Sequence, residues 1–189
     1  MIRTRVMFTG AGVVAAVAVS AGQVVAAGGQ TGGAVHPVAK ESVAGRCQVN
    51  ALGISLTYVG AYSFKTGFAI EFKNRGNVCT ISGYPGVDAL SATGQRILSA
   101  KRTKSGYLGG VFSGPIPKVH LAKGETASAL VEWVDGGPLG MPCPHVHSLR
   151  ITPPGAVSSV ILSRKPLQIL TLCRVQVHPV VPGRSGRKT

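Results

Sequence analysis

The sequence contains very few acidic residues. Only 6 of its 189 residues are Asp or Glu, whereas 20 are Lys or Arg, and the formal net charge is +14. A glycosidase uses two carboxyl groups set apart across a cleft, and a chain with so few acids offers little choice of such a pair. We expect the carboxylates to be solvated at the surface or paired with Lys and Arg; they are Glu41, Glu71, Asp88, Glu125, Glu132 and Asp135.

Motifs of several enzyme classes are also missing. The chain has no Gly-x-Ser-x-Gly nucleophile elbow, no His-Glu-x-x-His zinc motif and no Gly-x-x-x-x-Gly-Lys phosphate loop. We therefore predict that the protein is not an enzyme, has no catalytic residue and needs no cofactor.

Aromatic residues are scarce, at 5% of the chain. Proteins that bind single-stranded nucleic acid stack its bases on aromatic side chains, so nucleic acid is not a predicted partner. The positive charge instead favours attraction to anionic polymers or anionic lipid headgroups. The same charge would also keep a secreted protein soluble without any partner.

One long apolar run is present, at the amino terminus. Arg3 and Arg5 precede the mostly apolar residues 6–20, and small residues follow as far as Ala27. This order is typical of a signal peptide cleaved after Ala27. The alternative is an uncleaved anchor, which the glycines and small side chains of the run disfavour. We predict a signal peptide at 1–27, secretion to the extracellular space or the cell wall, and no membrane span after cleavage.

The cysteines are too far apart for a zinc site, which usually contains Cys-x(2–4)-Cys pairs. An even number of cysteines in an exported chain indicates disulfides. Four cysteines permit three pairings, and spacing alone does not choose among them. We favour Cys47–Cys79 and Cys143–Cys173, because each bond joins segments that are near in sequence.

The rest of the chain predicts one all-β domain. Residues 28–45 are glycine-rich and predict a flexible linker, residues 46–181 form the domain, and the basic residues 182–189 are expected to be a disordered tail. No segment after the apolar run has helical periodicity. About eight to ten short strands separated by turn signals predict an immunoglobulin-like β-sandwich.

The clearest alternation surrounds Phe68, Ile70 and Phe72. Residues 74–77 (Asn-Arg-Gly-Asn) then predict a turn, and residues 78–82 are expected to pair back as a hairpin. Within 78–82, Cys79 and Ile81 lie two apart and so share one face, which we expect to be the core face.

Three further expectations concern strands and turns. Pro85 and Gly86 are predicted to occupy the centre of a type II turn, with positive φ at Gly86. In the strand at 126–134 the small and apolar side chains share one face, so Ser128 and Glu132 are expected to face solvent or a sheet edge. Residues 167–177 are predicted to form one long strand.

Several stretches resemble DUF4232, a family of exported actinobacterial proteins of unknown function. They are FKNRG at 72–76 leading to CTISGYPGV at 79–87, LRITPPG at 149–155, and Cys173 followed by the ending His178-Pro179-Val180. The chain has Ile81 where the family more often has Leu. The resemblance implies a secreted, disulfide-bonded β-sandwich, and it implies no catalytic residue or ligand.

Loops at one end of such a sandwich usually carry binding. The Gly-Tyr-Pro-Gly loop and the basic loop at 101–117 are therefore the candidates. Tyr84 and Tyr107 are the predicted contact residues, with Lys101, Arg102 and Lys104 as electrostatic contacts, although Tyr84 can equally be a core or corner residue. The predicted role is a binding or interaction module at the cell envelope, with an anionic envelope polymer, lipid headgroups or another exported protein as partner.

The alternative function is a metal-binding exported protein or a metal-dependent enzyme that uses the pair His145 and His147. His145 and His147 lie two apart, so they would share one face of a strand, and His120 or His178 could supply a third ligand only if the fold brings it near. No metal site is predicted, because a polar strand edge beside a disulfide is the better explanation of the pair. A purely structural exported protein is a third possibility that the sequence leaves open.

Overall fold

The computed structural model describes residues 44–108, 114–136, 142–163 and 170–187. The predicted signal peptide, most of the predicted linker and residues 109–113 of the basic loop lie outside the described residues. No helix in the described ranges is long and apolar enough to span a membrane.

Nearly all regular structure in the described chain is β. A single 3₁₀ turn covers Val49–Ala51. The strands, in chain order, are β1 (Leu52–Tyr62), β2 (Lys65–Asn74), β3 (Cys79–Ser82), β4 (Gly86–Leu90), β5 (Arg96–Ser99), β6 (Lys101–Arg102), β7 (Lys118–Leu121), β8 (Thr126–Val134), β9 (His145–Val146), β10 (Ser148–Thr152), β11 (Val160–Leu162), β12 (Leu170–Thr171), β13 (Cys173–Val177) and β14 (Val181–Pro182).

The larger sheet has the order β1-β2-β8-β13-β6, with β14 also paired to β8. Its centre is the antiparallel pair β2 and β8, in register from Lys65 opposite Val134 to Lys73 opposite Thr126. The second sheet has the order β11-β10-β4-β5, and the pairs β3–β7 and β9–β12 complete the fold.

One hydrophobic core lies between the two larger sheets. Phe72 and Trp133 from the first sheet belong to the same buried cluster as Ala89 and Ile151 from the second. Alternating side chains of a strand point to opposite faces, and these are the inward-facing ones. The all-β prediction is confirmed, and the arrangement is the expected β-sandwich, with more short strands than predicted.

Both predicted disulfides are present in the structure. Cys47 is bonded to Cys79, and Cys143 is bonded to Cys173. Cys79 and Ile81 are both buried on the core face of β3, as their spacing predicts.

The predicted hairpin between β2 and the strand after it is wrong. β3 pairs with β7, Cys79 lying opposite Leu121, whereas β2 pairs with β1 and β8. The side chain of Asn74 explains the departure, because its amide donates to the carbonyls of Asn77 and Leu121. These bonds direct the chain out of the larger sheet, so β3 does not return along β2.

The predicted type II turn at Pro85-Gly86 is also wrong. Gly86 is the first residue of β4 and pairs with Thr152. The positive φ belongs to Gly83, at 109°. The predicted long strand is interrupted as well: in its described part, β12 and β13 are separate strands on either side of the buried Leu172.

The outer face of β2 and β8 is buried, contrary to the expectation for Ser128 and Glu132. Both side chains are fully buried, because two segments distant in sequence cover them. We call residues 103–108 the loop strap and residues 183–187 the terminal strap.

The terminal strap corrects the prediction of a disordered tail. Residues 183–187 pack on the sheet: the Ser128 hydroxyl donates to the Gly183 carbonyl at 2.7 Å and accepts from the Gly186 amide at 2.8 Å. Arg184 lies 3.0 Å from the buried carboxylate of Glu71. Packing against the sheet therefore continues beyond β14 as far as Gly186.

Candidate functional site

The candidate site begins where the chain crosses from one sheet to the other. β5 belongs to the second sheet, and the Ala100 amide still donates to the Val87 carbonyl of that sheet. The next residue, Lys101, pairs with Gln176 in the larger sheet, where β6 runs parallel to β13. This crossing sets β5, β6 and β13 beside one another.

A bulge in β13 presents Arg174 at the same place. The register between β13 and β8 shifts between Cys173 and Gln176, and Arg174 has a φ of 49°. A residue other than glycine in the left-handed region costs about 1–3 kcal/mol and is found most often at functional sites. A bulge changes the direction in which a side chain points. The Cys143–Cys173 disulfide fixes the residue directly before Arg174.

The loop strap places Tyr107 over this region. The Glu132 carboxylate accepts hydrogen bonds from the backbone amides of Tyr107, at 2.6 Å, and Leu108, at 2.9 Å. Nε2 of His178 lies 2.8 Å from the same carboxylate and donates to it, since an ionised carboxylate only accepts. A Cβ atom at Gly106 would clash with both the Glu132 and His178 side chains, so glycine permits this close approach.

The buried carboxylate of Glu132 is held in its charged form. Burial raises its pKa, but the hydrogen bonds from His178, Leu108 and Tyr107 and the charge of His178 together outweigh burial, and the net pKa is lowered from 4.5. The loop strap is thus anchored by an ionised acceptor, which holds the backbone of Tyr107 in place.

These elements enclose a cleft of about 350 Å³, which we call the cationic cleft. Its size is at the lower end of small-ligand sites. Two exposed cations, the ring of Tyr107 and the amide of Gln176 meet in it, and Oε1 of Gln176 is buried and accepts no hydrogen bond from the described residues. The lining residues are Leu98, Ser99, Lys101, Tyr107, Arg174, Val175 and Gln176.

The cleft offers three kinds of contact. Lys101 and Arg174 attract an anionic group, and arginine can bind a phosphate or carboxylate through two donors. The oxygen of Gln176 requires a donor such as a hydroxyl group. Tyr107 supplies an aromatic face. Ser99 adds a hydroxyl group, which donates to the Asp88 carboxylate at 2.6 Å.

Of the five predicted binding residues, Lys101 and Tyr107 line the cleft. Arg102 follows Lys101 on β6 and is exposed, but it does not line the cleft. The Lys104 ammonium donates to the Gly114 carbonyl at 2.9 Å. Tyr84 is half-buried between β3 and β4 and is not part of the cleft.

Sequence reasoning missed Arg174 and Gln176. Both lie within the apolar run at 167–177 that predicts a single strand, and nothing in that run marks the bulge. The one available signal was the presence of a charged residue directly after a cysteine in an otherwise apolar segment.

Of the two histidines predicted to lie on one strand, only His145 belongs to β9, and no third metal ligand lies beside them in the described chain. His145 and His147 are both exposed and flank the buried Val146. The described residues contain no group of three His, Cys, Asp or Glu side chains that could hold a metal ion. His178 contacts Glu132, and His120 lies 3.2 Å from the Thr80 hydroxyl.

The chain matches the family model described as Domain of unknown function (DUF4232) over residues 47–181. It belongs to this family. Among curated proteins and solved structures, none matches the chain. In this DUF4232 protein the matched segment contains the whole cationic cleft and both disulfides.

Proposed function

We propose that this DUF4232 protein is a non-catalytic binding module of the cell envelope that holds an anionic glycopolymer in the cationic cleft. The observation that carries the proposal is the convergence on one cleft of Lys101, Arg174, Tyr107 and Gln176, whose oxygen has no hydrogen-bond partner among the described residues. A polymer with phosphate or carboxylate groups, hydroxyl groups and sugar rings would engage each of these contacts.

The charge of the whole chain supports the same class of partner. Cleavage after Ala27 removes Arg3 and Arg5 and no acidic residue, so the net charge falls from +14 to +12, which still creates a positive field that attracts anionic polymers from a distance. Replacement of a cationic residue of the cleft should therefore weaken binding and also make binding less dependent on the salt concentration.

The envelope location rests on the amino-terminal sequence and on the two disulfides. Disulfides persist in oxidising compartments outside the cytosol. The apolar run with its two preceding arginines supports secretion by cleavage after Ala27.

The test is retention of the oxidised protein on isolated actinobacterial cell envelopes across a series of salt concentrations. We expect Lys101→Glu and Arg174→Glu each to weaken retention and to lower the slope of log affinity against log salt by about one. Lys123→Glu is the matched control, because Lys123 is exposed in the turn before β8 and does not line the cleft. Equal losses in the three variants would show that only net charge matters and would refute a site at the cleft.

The neutral contacts need a separate variant. Gln176→Leu keeps the charge of the cleft but removes the acceptor, so it should weaken retention without changing the salt dependence. If Gln176→Leu leaves retention unchanged at every salt concentration, the ligand does not donate to this position.

The metal hypothesis for His145 and His147 remains separate. A calorimetric zinc titration of the wild type and of His145→Ala/His147→Ala tests it. Micromolar binding that the double variant loses would establish a metal site.

A further inference from the structure

Three large aromatic side chains are exposed near the tip of the hairpin that joins β1 to β2. Phe64 is 78% exposed, Tyr62 is 75% exposed and Tyr58 is 59% exposed. Aromatic residues are few in this chain, so their concentration on one hairpin needs a physical reason.

The backbone at the tip is strained. Ser63 and Phe64 form a two-residue turn between paired residues Tyr62 and Lys65, and their φ angles are 45° and 62°. A type I′ turn requires positive φ at both positions and strongly favours Asn-Gly. A bulky residue with positive φ is a conformational outlier, so Phe64 occupies a position where glycine would be more stable.

The tip is nevertheless held in place. The Phe64 carbonyl accepts a hydrogen bond of 2.8 Å from the Asp135 amide, and the Thr66 hydroxyl donates to the Asp135 carboxylate at 2.6 Å. The stem is fixed by stacked rings, since Tyr58 packs edge-on against Phe68 and Phe68 stacks on the buried Trp133.

We propose that this hairpin tip inserts into the headgroup region of an anionic lipid surface. A two-residue turn is convex and does not enclose a small ligand, so a partner that covers these rings is a larger surface. Tyrosine rings favour the interface between water and lipid, and Phe64 at the apex supplies the apolar group that enters it.

The positive charge of the whole chain favours an anionic surface. Two charged residues lie beside the tip: Lys65 follows it directly, with its ammonium 5.7 Å from the centre of the Tyr107 ring, and Asp135 accepts a hydrogen bond from Thr66. Basic residues at a membrane surface are attracted by anionic lipids, and the net charge of +14 adds a long-range attraction. This site is separate from the cationic cleft and does not require a ligand there.

The first experiment measures directly whether the tip enters the lipid. The full chain carrying Phe64→Trp is mixed with vesicles of equal parts phosphatidylglycerol and phosphatidylcholine, with brominated acyl chains as quenchers. The natural Trp133 is fully buried and gives a constant background. We expect quenching of the indole introduced at position 64. Val157→Trp is the matched control, because Val157 is fully exposed but lies in the loop before β11 of the other sheet.

Equal quenching in the two variants, or none at position 64, would overturn the proposal; the second outcome would favour a protein pocket as the partner of the tip. Quenching that disappears when phosphatidylglycerol is omitted would support the role assigned to charge. Since both variants carry the same amino-terminal segment, its own affinity for lipid does not affect the comparison.

The second experiment separates loss of insertion from loss of folding. Ser63→Asn combined with Phe64→Gly fits the observed backbone, so this variant should unfold at a higher temperature than the wild type. Its partition into the same vesicles should fall about tenfold, as expected for removal of one buried aromatic side chain. A variant with raised melting temperature and unchanged partition would refute insertion through Phe64.

Discussion

Glu132 is the residue on which the arrangement of the cationic cleft depends most. Its carboxylate is fully buried on β8 and accepts from two amides of the loop strap and from His178. A buried charge is costly unless hydrogen bonds compensate it. Here the compensating donors belong to the segment that carries Tyr107, so the cost of burial is offset only when the loop strap is in place.

Glu132→Gln should destabilise the protein by about 2 kcal/mol. The carboxylate accepts from three donors, and the NH₂ group of glutamine would face one of them and leave it without an acceptor. Urea denaturation at neutral pH measures this loss. Glu125→Gln is the control, since Glu125 is an exposed carboxylate with a single backbone partner, Ala122. A change of similar size in both variants would contradict the special role of Glu132.

The same carboxylate makes stability depend on pH. Because the folded-state pKa of Glu132 lies below 4.5, its contribution is fully present above that pH and is lost as the pH falls through the lowered value. The free energy of unfolding of the wild type should therefore fall in acid. The difference in free energy of unfolding between the wild type and Glu132→Gln should become smaller there. If this difference in free energy of unfolding stays constant down to the pH at which the protein unfolds, the lowered pKa of Glu132 does not contribute to stability.

At the scale of elements, the two straps determine which polar residues of the sheet can be buried. The terminal strap supplies the Gly183 carbonyl and the Gly186 amide to Ser128, and it supplies the Arg184 guanidinium to Glu71, which also accepts from the Thr57 hydroxyl of β1. Without that strap the central strands would expose a polar outer face to water.

Deletion of residues 183–189 should thus reduce the free energy of unfolding by about 2–4 kcal/mol, since it removes two neutral hydrogen bonds and one pair with a partly buried carboxylate. Thermal and urea unfolding measure the change. Deletion of residues 188–189 alone is the matched control. If the longer deletion is as stable as the shorter one, the strap contributes nothing to folding.

The individual strands were predictable because alternation is a local signal. Phe68, Ile70 and Phe72 predicted β2, and the alternation at 126–134 predicted the bounds of β8. The partners of those strands were not predictable, because β3 is directed to β7 by contacts of Asn74 with residues as distant as Leu121.

The candidate site was predictable only in part, for a related reason. Lys101 and Tyr107 belong to a visibly basic loop, whereas Arg174 joins them through a bulge in a mostly apolar run that predicted a regular strand. Burial of Glu132 likewise depends on residues 24 and 25 positions away in the loop strap. Sequence alternation contains no information about which distant segment covers the outer face of a sheet.

For the whole molecule, the two disulfides contribute a large share of the stability. They join residues 32 and 30 positions apart, and a loop of that size corresponds to about 3–4 kcal/mol in the chain-entropy model. Their sum is comparable to the total stability of an ordinary domain, about 5–15 kcal/mol.

Cys47→Ser/Cys79→Ser and Cys143→Ser/Cys173→Ser should each lower the free energy of unfolding by about 3–4 kcal/mol. The second variant should also weaken envelope binding, because it releases the strand immediately before Arg174. Urea unfolding and envelope retention are measured on both. Equal retention in the two variants, at conditions where both are folded, would show that the bulge does not need its disulfide.

The position of the terminal strap in the chain has a consequence for synthesis. β8 acquires its last neighbours from β14 and from Gly183 and Gly186, which follow all the other described strands in the sequence. A nascent chain that has not reached them has a central strand whose polar face lacks these partners. The domain can therefore reach its final form only after residues 181–186 have been synthesised, and a chain released before them would lack the segment that covers the sheet.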